Sequence, residues 1–315
     1  MRLVRKDRQR RTAAAVGCVS VLLLLLLLRA NLFPSEELEN LSVLETCRGR
    51  QLYKVDFPGP SEWTVFITIN SGFMDFFTNW WYHFERLDTK SNLIIVAEDA
   101  EAFQLLKAMD LPGAAVVQSD ATGSGKFGYD SPEYNRLVSS RPSRVLSMLC
   151  SADMPSANLI YADIDAVWLR DPLPYFQQAL YGPDNFDFAA QDDQPESPEN
   201  YCTGLIVMRR NDKMVHLMAQ WEAMLAKFPN SPNQRLFWNT LESKAVQSLN
   251  INRGVLPISI FPPGDMYFEE GESSEHHWDQ SMRDHVAIAH NNWVIGHENK
   301  IARFKKFGLW KVLSS

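Results

Sequence analysis

The chain has 315 residues, of which 45% are hydrophobic and 22% are charged, and this composition excludes an intrinsically disordered protein. Its 31 basic and 38 acidic residues give a net charge of −7. Seven of the basic residues lie within residues 1–29 beside one acidic residue, so the rest of the chain is strongly acidic. An acidic body argues against nucleic acid as a partner, because phosphate binding requires clustered Lys and Arg.

The first 29 residues have the pattern of a membrane anchor. A basic segment, 1–11, precedes an uncharged run that ends in seven consecutive leucines at residue 28. At about 1.5 Å per residue the run spans about 25 Å, near the lower limit for a transmembrane helix. Because basic residues stay on the cytoplasmic side, we predict a cytoplasmic tail (1–11), a transmembrane signal-anchor (12–29) and a lumenal body. A cleaved signal peptide is the alternative, although the leucines are not followed by an A-x-A pattern.

Two further features are consistent with a lumenal body. Asn40 begins an Asn-Leu-Ser acceptor sequence for N-glycosylation. Cys18 lies in the apolar run, which leaves Cys47, Cys150 and Cys202 for the body. Three cysteines allow one internal disulfide, with three possible pairings, and one free thiol.

Strands and helices alternate after a polar segment, 30–60, that we interpret as a stem. The predicted strands are 63–69, 92–97, 114–117, 158–162 and 186–191, and the predicted helices are 76–87, 100–109 and 143–150. This alternation over residues 61–315 predicts a single α/β domain with a mainly parallel sheet and helices on both faces. Ligands bind beyond the carboxyl ends of the strands in such sheets, so we expect the functional residues there.

Two carboxylates follow the fourth predicted strand. Asp163 and Asp165 are separated by one residue, and both can therefore reach one divalent cation. Mg²⁺ and Mn²⁺ favour oxygen ligands and keep open positions for phosphate oxygens. The alternative is that one Asp caps a following helix and the other forms a surface ion pair. Apolar residues flank the pair, which favours the metal site because an ionised carboxylate needs a compensating partner there.

A second group of candidate residues lies near the C-terminus. His290 directly follows a short predicted strand, 286–289, and its neutral imidazole can complete a metal site. A histidine that is simply hydrogen-bonded in the core is the alternative. Lys300, together with the backbone near Gly296, can hold a diphosphate.

These segments, taken in order, resemble glycosyltransferase family 77, which includes plant α-xylosyltransferases that act on fucose in pectin. The matching blocks are the D-x-D segment at 161–172, an Asn…Thr-Gly strand at 200–209, Phe-Pro-Pro-Gly at 261–264 with Tyr-Phe at 267–268, and a closing His…Gly…Lys segment at 290–300. The ordered combination is more specific than any one motif.

The resemblance implies a GT-A type fold, which is a Rossmann-like mixed sheet, and a retaining transfer from a nucleotide-diphosphate sugar. It implies that Asp165 and His290 ligate Mn²⁺ or Mg²⁺ with Asp163, which also faces the nucleotide-sugar. It further implies that Lys300, near Gly296, contacts the diphosphate, whose growing negative charge a cation and a lysine stabilise. We expect a UDP-sugar as donor, a glycan or glycoconjugate as acceptor, and a type II protein of the Golgi membrane.

Further residues are candidates for the donor site. Asp192 or Asp193 is expected to bind hydroxyls of the donor sugar, with an exposed acidic loop as the alternative. Arg144 is expected either to reach the donor phosphates or to lie on a solvated helix face. Asn233 and Gln234 stand where the family commonly has Asp-Gln. Asn233 cannot act as a carboxylate, so either Gln234 or a neighbouring acid takes the role near the anomeric carbon, or activity is weakened.

Two other functions are compatible with parts of the pattern. A phosphatase of the haloacid dehalogenase type also has a D-x-D after a strand, with the first Asp as nucleophile. Its motif normally lies near the start of the domain, whereas about 100 body residues precede it here. A sugar-nucleotide-binding protein without activity is the other alternative, and Asn233 motivates it.

Overall fold

A computed structural model of the protein describes residues 42–50, 61–119, 125–126, 131–152, 154, 156–194, 200–269 and 278–312. All of them belong to one compact unit, Leu41–Ser315. The predicted cytoplasmic tail, the signal-anchor and Asn40 lie outside the described residues. In the part of the chain that is described, no helix combines the length and the apolar character needed to cross a membrane.

A mixed sheet of seven strands forms the middle layer of the described residues. The described residues form nine strands in all, which are β1 (Trp63–Ile69), β2 (Asn92–Ala97), β3 (Ala114–Gln118), β4 (Asn158–Ala162), β5 (Ala166–Trp168), β6 (Phe188–Asp192), β7 (Tyr201–Arg209), β8 (Arg253–Val255) and β9 (Ile288–His290). The order in the large sheet is β3-β2-β1-β4-β7-β6-β8, and β5 pairs with β9 in a separate two-stranded sheet. In the large sheet β7 is antiparallel to β4 and β6, and the other pairs are parallel. The predicted mixed, mainly parallel sheet is confirmed.

Helices connect these strands. They are α1 (Val43–Cys47), α2 (Met74–Phe84), α3 (Ala100–Ala108), α4 (Pro132–Ser139), α5 (Arg141–Cys150), α6 (Leu173–Tyr181), α7 (Asp212–Lys227), α8 (Asn233–Leu241), α9 (Lys244–Gln247), α10 (Gly264–Tyr267), α11 (Gln280–Arg283) and α12 (His297–Lys306). The segments Ser71–Phe73 and Glu85–Leu87 are 3₁₀ turns at the two ends of α2.

The side chains of β1 show that helices cover both faces of the large sheet. Val65 and Ile67 belong to a hydrophobic cluster that includes residues of α2, α3 and α6. Phe66, which lies between them in the sequence, belongs to a second cluster with residues of α5, α7 and α8. Because successive side chains of a strand point to opposite faces, the two clusters lie on opposite sides of the sheet. Burial on both faces explains why five of the seven residues of this strand are apolar and why they do not alternate strictly with polar residues.

Part of the predicted stem is folded against the body. Helix α1 is capped by Ser42, which exchanges hydrogen bonds with Glu45 in a capping box. A disulfide joins Cys47 at the end of α1 to Cys150 at the end of α5, and Cys202 is free and buried. The structure thereby selects one of the three possible pairings. A helix of five residues is too short to produce a periodic pattern, so the sequence did not indicate it.

The sequence did not predict two elements, helix α4 and strand β5. Helix α4 begins after Ser131, whose side chain accepts from the backbone N–H of Tyr134, and Pro132 occupies its first turn. A Ser-Pro pair of this kind is a recognised helix start. Strand β5 follows the D-x-D pair where a helix was the considered alternative, and it pairs with β9, placing Ala166 opposite His290.

Candidate active site

The three predicted metal ligands come together at the carboxyl end of β4. Asp163, Asp165 and His290 each offer a ligand atom, and these atoms all lie within 4.8 Å of one another. Asp163 follows the last residue of β4, and Asp165 precedes the first residue of β5. The antiparallel pairing of β5 with β9 brings His290 to them, with its Nε2 atom 3.5 Å from Asp165 Oδ1. The short second sheet therefore assembles the site.

His290 is held in one orientation by Gln191. The Nδ1 atom of His290 lies 2.6 Å from Gln191 Oε1. The amide nitrogen of Gln191 donates to the carbonyl oxygens of Phe261 and Pro262, at 3.3 and 2.6 Å, and this fixes which end of the amide faces His290. An amide oxygen only accepts, so His290 donates from Nδ1 and its Nε2 lone pair faces Asp165.

Asp165 is buried and ionised. Lys300 forms an ion pair with its Oδ2 atom. Burial raises the pKa of the Asp165 carboxyl, but the charge of Lys300 outweighs burial and lowers this pKa to well below its ordinary value. The site therefore carries a fixed negative charge at neutral pH, which a cation or a lysine can neutralise.

Asp163 is held by two partners of its own. The hydroxyl of Tyr161 donates to Asp163 Oδ1 at 2.8 Å, and the guanidinium of Arg141 lies 3.0 Å from the same oxygen. Burial lowers the pKa of Arg141, but the charge of Asp163 outweighs it and raises this pKa above its ordinary value. Arg141 therefore stays charged beside the carboxylates.

Arg141, which the sequence did not single out, is the arginine that lies beside Asp163, whereas Arg144 was the arginine considered for the donor phosphates. Arg144 lies one turn further along α5, where it forms an ion pair with Glu98 and donates to Ser119. It is buried, so the alternative of a solvated helix face is wrong, and it is not among the residues that line the cavity described below. The sequence placed the start of this helix at residue 143, whereas it begins at Arg141, with proline in its first turn.

Asp193 and Gln234, both predicted, are in direct contact. Gln234 donates from Nε2 to Asp193 Oδ2 at 2.8 Å, and Asn292 donates to the other carboxylate oxygen at 2.9 Å. Burial raises the pKa of Asp193 more than these hydrogen bonds lower it. Asp192, the alternative, instead accepts from the backbone N–H of Gln194 in a local turn. Of the two acids, the structure connects Asp193 to the loop after His290.

Asn233 has a local structural role. Its side-chain oxygen accepts from the backbone N–H of Gln234 at 2.8 Å, and its carbonyl accepts from the indole of Trp221 at 3.2 Å. The residue is buried at the start of α8. Gln234, not Asn233, contacts Asp193. A role near the anomeric carbon for Gln234 or for a neighbouring acid therefore stays a prediction.

A cavity of about 150 Å³ adjoins the carboxylates. One end is charged, and its lining includes Asp163, Asp165, Arg141 and Lys300. The other walls are mainly apolar, and their lining includes Ile69, Phe73, Phe76, Leu137, Val138 and Val294. Gly296 also lines the cavity, and its φ of 96° is one that residues with a side chain rarely adopt.

Gly204 allows the strands to approach the site closely. Its carbonyl accepts from the backbone N–H of Asp163 at 2.8 Å, so β7 runs directly beside the D-x-D pair. A Cβ atom at this position would lie 2.4 Å from His290 Cε1 and 2.8 Å from Asp163 Oδ2. Only glycine leaves room here for both side chains.

The comparison with known families identifies the class of protein. The family model for nucleotide-diphospho-sugar transferases matches residues 89–304, which is more than half of the chain. The chain belongs to this family, and it is a glycosyltransferase that uses a nucleotide-sugar donor. The haloacid dehalogenase alternative is therefore wrong.

Individual relatives are consistent with this class. The chain is 27% identical over 277 residues to UDP-D-xylose:L-fucose alpha-1,3-D-xylosyltransferase 3 of Arabidopsis thaliana, covering 82% of this chain and 69% of that one. It is 23% identical over 293 residues to UDP-galactose:fucoside alpha-3-galactosyltransferase of Dictyostelium discoideum, covering 79% and 43%. The fold is similar to that of the glycosyltransferase GlyE of Streptococcus pneumoniae TIGR4, with a TM-score of 0.50, 12% identity, and coverage of 78% and 60%.

Proposed function

We propose that the protein is a metal-dependent, retaining glycosyltransferase that moves a pentose or hexose from a UDP-sugar to a hydroxyl of a glycan or glycoconjugate. The observation that carries this proposal is the meeting of Asp163, Asp165 and His290 at the charged end of the cavity.

The three side chains fit Mn²⁺ or Mg²⁺. Two carboxylates and one imidazole offer hard oxygen and nitrogen ligands, and they leave coordination positions open for phosphate oxygens. Because Gln191 holds the Nδ1 atom of His290, the Nε2 atom is the one available to a cation. A bound cation would neutralise the charge that the leaving diphosphate gains.

The cavity also fits the two parts of a nucleoside diphosphate. Its apolar walls, which include Phe73 and Val138, suit a base and a ribose, and the charged groups of Arg141 and Lys300 suit a diphosphate. We place the donor sugar beside Asp193, because this carboxylate and its partner Gln234 can accept from and donate to sugar hydroxyls.

The names of the two relatives support a choice of substrates to test first. One relative uses UDP-xylose and the other UDP-galactose, and both names specify a fucose or a fucoside as acceptor. We therefore propose UDP-xylose or UDP-galactose as donor and a fucose-containing glycan as acceptor.

We also propose a type II protein of the Golgi membrane, with residues 61–315 as the lumenal catalytic domain. The basic N-terminal segment and the run of leucines support it. The disulfide between Cys47 and Cys150 supports it independently, because disulfides form and persist in oxidising compartments such as the secretory pathway.

UDP release and sugar transfer test the proposal directly. We expect the purified full-length protein to release UDP from UDP-xylose or UDP-galactose with Mn²⁺, to stop with EDTA, and to recover when Mn²⁺ is restored in excess. Transfer to a fucoside should raise the rate. Two results would contradict the proposal: equal turnover with EDTA, or donor binding by calorimetry without turnover on any of a panel of fucose-containing acceptors.

Replacing Gln191 should weaken metal binding without removing a ligand. We expect Gln191→Met to raise the Kd for Mn²⁺ by about 10- to 100-fold, because His290 loses the acceptor that orients it. Electron paramagnetic resonance of free Mn²⁺ measures this Kd. Asn158→Leu is the matched control, since Asn158 is an equally buried, hydrogen-bonded amide at the opposite end of β4. An unchanged Kd in Gln191→Met would show that His290 does not need this bond.

A further inference from the structure

We infer that the half-exposed indole of Trp293 is the platform on which the sugar ring of the acceptor stacks. The inference rests on the proposed function and deepens it, because it names the surface that recognises the acceptor. Three observations carry it: the backbone conformation of Trp293, the anchoring of its indole N–H, and the exposure of its ring.

The backbone of Trp293 is strained. Its φ is 60°, in the left-handed region that bulky residues with a Cβ atom rarely adopt. Residues held in such a conformation must be over-determined by their surroundings, and they concentrate at ligand-binding sites. A glycine at this position would avoid the strain.

The indole is tied to the candidate donor-sugar site. Its Nε1–H donates to the carbonyl oxygen of Asp193 at 3.2 Å. The carboxylate of Asp193 accepts from Asn292, the residue before Trp293, and from Gln234. These bonds fix the ring beside the residues that we assign to the donor sugar, which is where an acceptor hydroxyl must arrive.

The ring of Trp293 is not part of the hydrophobic core of the described residues. Trp293 is 49% exposed and belongs to none of the hydrophobic clusters that these residues form. By contrast, Trp80 and Trp168 are completely buried. An aromatic ring that is anchored by its N–H group and exposed to solvent presents a rigid apolar face at a low cost in conformational entropy.

The chemistry of this face fits a sugar better than a nucleotide base. Trp293 is not among the residues that line the apolar cavity, whereas Val294 and Ile295 are. A pyranose ring has an apolar C–H face that can cover an indole, and hydroxyls on its rim remain free for polar partners. A 6-deoxy sugar, such as fucose, adds a methyl group to the apolar contact.

Steady-state kinetics with separate variation of donor and acceptor tests the inference. The donor is the UDP-sugar that supports turnover, and the acceptors are the methyl glycosides of fucose, galactose and glucose. We expect Trp293→Ala to raise the KM for the accepted glycoside at least tenfold and to change the donor KM less than twofold. Trp293→Phe should restore part of the acceptor affinity, because an aromatic face remains.

Trp293→Gly distinguishes binding from a structural role. Glycine relieves the left-handed strain that alanine keeps, so the melting temperature of Trp293→Gly should equal or exceed that of Trp293→Ala, although its acceptor KM should rise as in Trp293→Ala. Tyr181→Ala is the matched control, since Tyr181 is 45% exposed and bonds Asn158 at the opposite end of β4. We expect no change of either KM in this variant.

The possible outcomes distinguish a failure of the acceptor role of Trp293 from a failure of the proposed function. Wild-type turnover of the donor, combined with an unchanged acceptor KM in Trp293→Ala, would overturn this inference and leave the proposed function intact. A rise in both KM values, with a lower melting temperature in Trp293→Gly than in Trp293→Ala, would assign Trp293 a structural role and also overturn this inference. Absence of any UDP-sugar turnover in the wild type would overturn the proposed function itself.

Discussion

Asp165→Asn is expected to lower sugar transfer by about 10³-fold, because it removes a carboxylate from the group that would hold the cation. Asparagine keeps the size of the side chain but loses the negative charge that Lys300 and a cation share. UDP release with Mn²⁺ measures the effect on turnover, and Mn²⁺ binding should weaken in parallel. Lys300 is partly exposed and can turn toward solvent, so we expect the protein to remain folded.

Asp187→Asn is the matched control for this substitution. Asp187 is also a buried acid that pairs with a lysine, Lys213, and it accepts hydrogen bonds from Asn211 and Asn252. It precedes β6, whereas Asp193 follows the same strand at the opposite end. We expect this control to lower the melting temperature without changing Mn²⁺ binding. If Asp165→Asn kept Mn²⁺-dependent turnover near the wild-type level, Asp165 would not be a metal ligand.

The parts of the fold that were predictable from the sequence are those that local patterns determine. Strands β1, β2 and β4 begin and end at the predicted residues, because each is an uninterrupted buried run. Asp163 and Asp165 could be placed for the same reason, since they directly follow β4. The resemblance to a family added His290, which a pattern of residues alone left open between a ligand and a core histidine.

The parts that were not predictable depend on contacts between distant segments. Strand β5 has three residues, too few to show an alternation, and it exists because β9 pairs with it. The sequence predicted β9 at residues 286–289, whereas the strand is Ile288–His290, because the pairing with β5 sets its ends. Gln191 could not be recognised as the partner of His290, because the bond joins residues of different sheets.

Arg141 was missed for a different reason. The sequence placed the start of α5 at residue 143, after a proline, whereas the helix begins at Arg141 with that proline in its first turn. Arg141 and Arg144 are nearly one helical turn apart and share similar sequence surroundings. Their ion-pair partners differ, because Arg141 faces Asp163 and Arg144 faces Glu98, and only the tertiary structure decides this.

Gly204→Ala is expected to disable the site with a single methyl group. The added Cβ atom would lie 2.4 Å from His290 Cε1 and 2.8 Å from Asp163 Oδ2, so at least one of these side chains must move. Neither is free to do so, because Gln191 holds His290 and both Arg141 and Tyr161 hold Asp163. We expect the Kd for Mn²⁺ to rise and transfer to fall by about 100-fold, since small displacements of aligned groups are costly.

Gly254→Ala separates this effect from overpacking in general. A Cβ atom at Gly254 in β8 would lie 2.2 Å from the ring of Phe186, which is a comparable clash that involves none of the candidate site residues. Both variants should lose about 1–3 kcal/mol of stability, as overpacked interiors usually do. Only Gly204→Ala should lose Mn²⁺ binding and turnover. If its turnover matched that of Gly254→Ala at equal folded fraction, the positions of Asp163 and His290 would not limit the reaction, and the role assigned to them would be wrong.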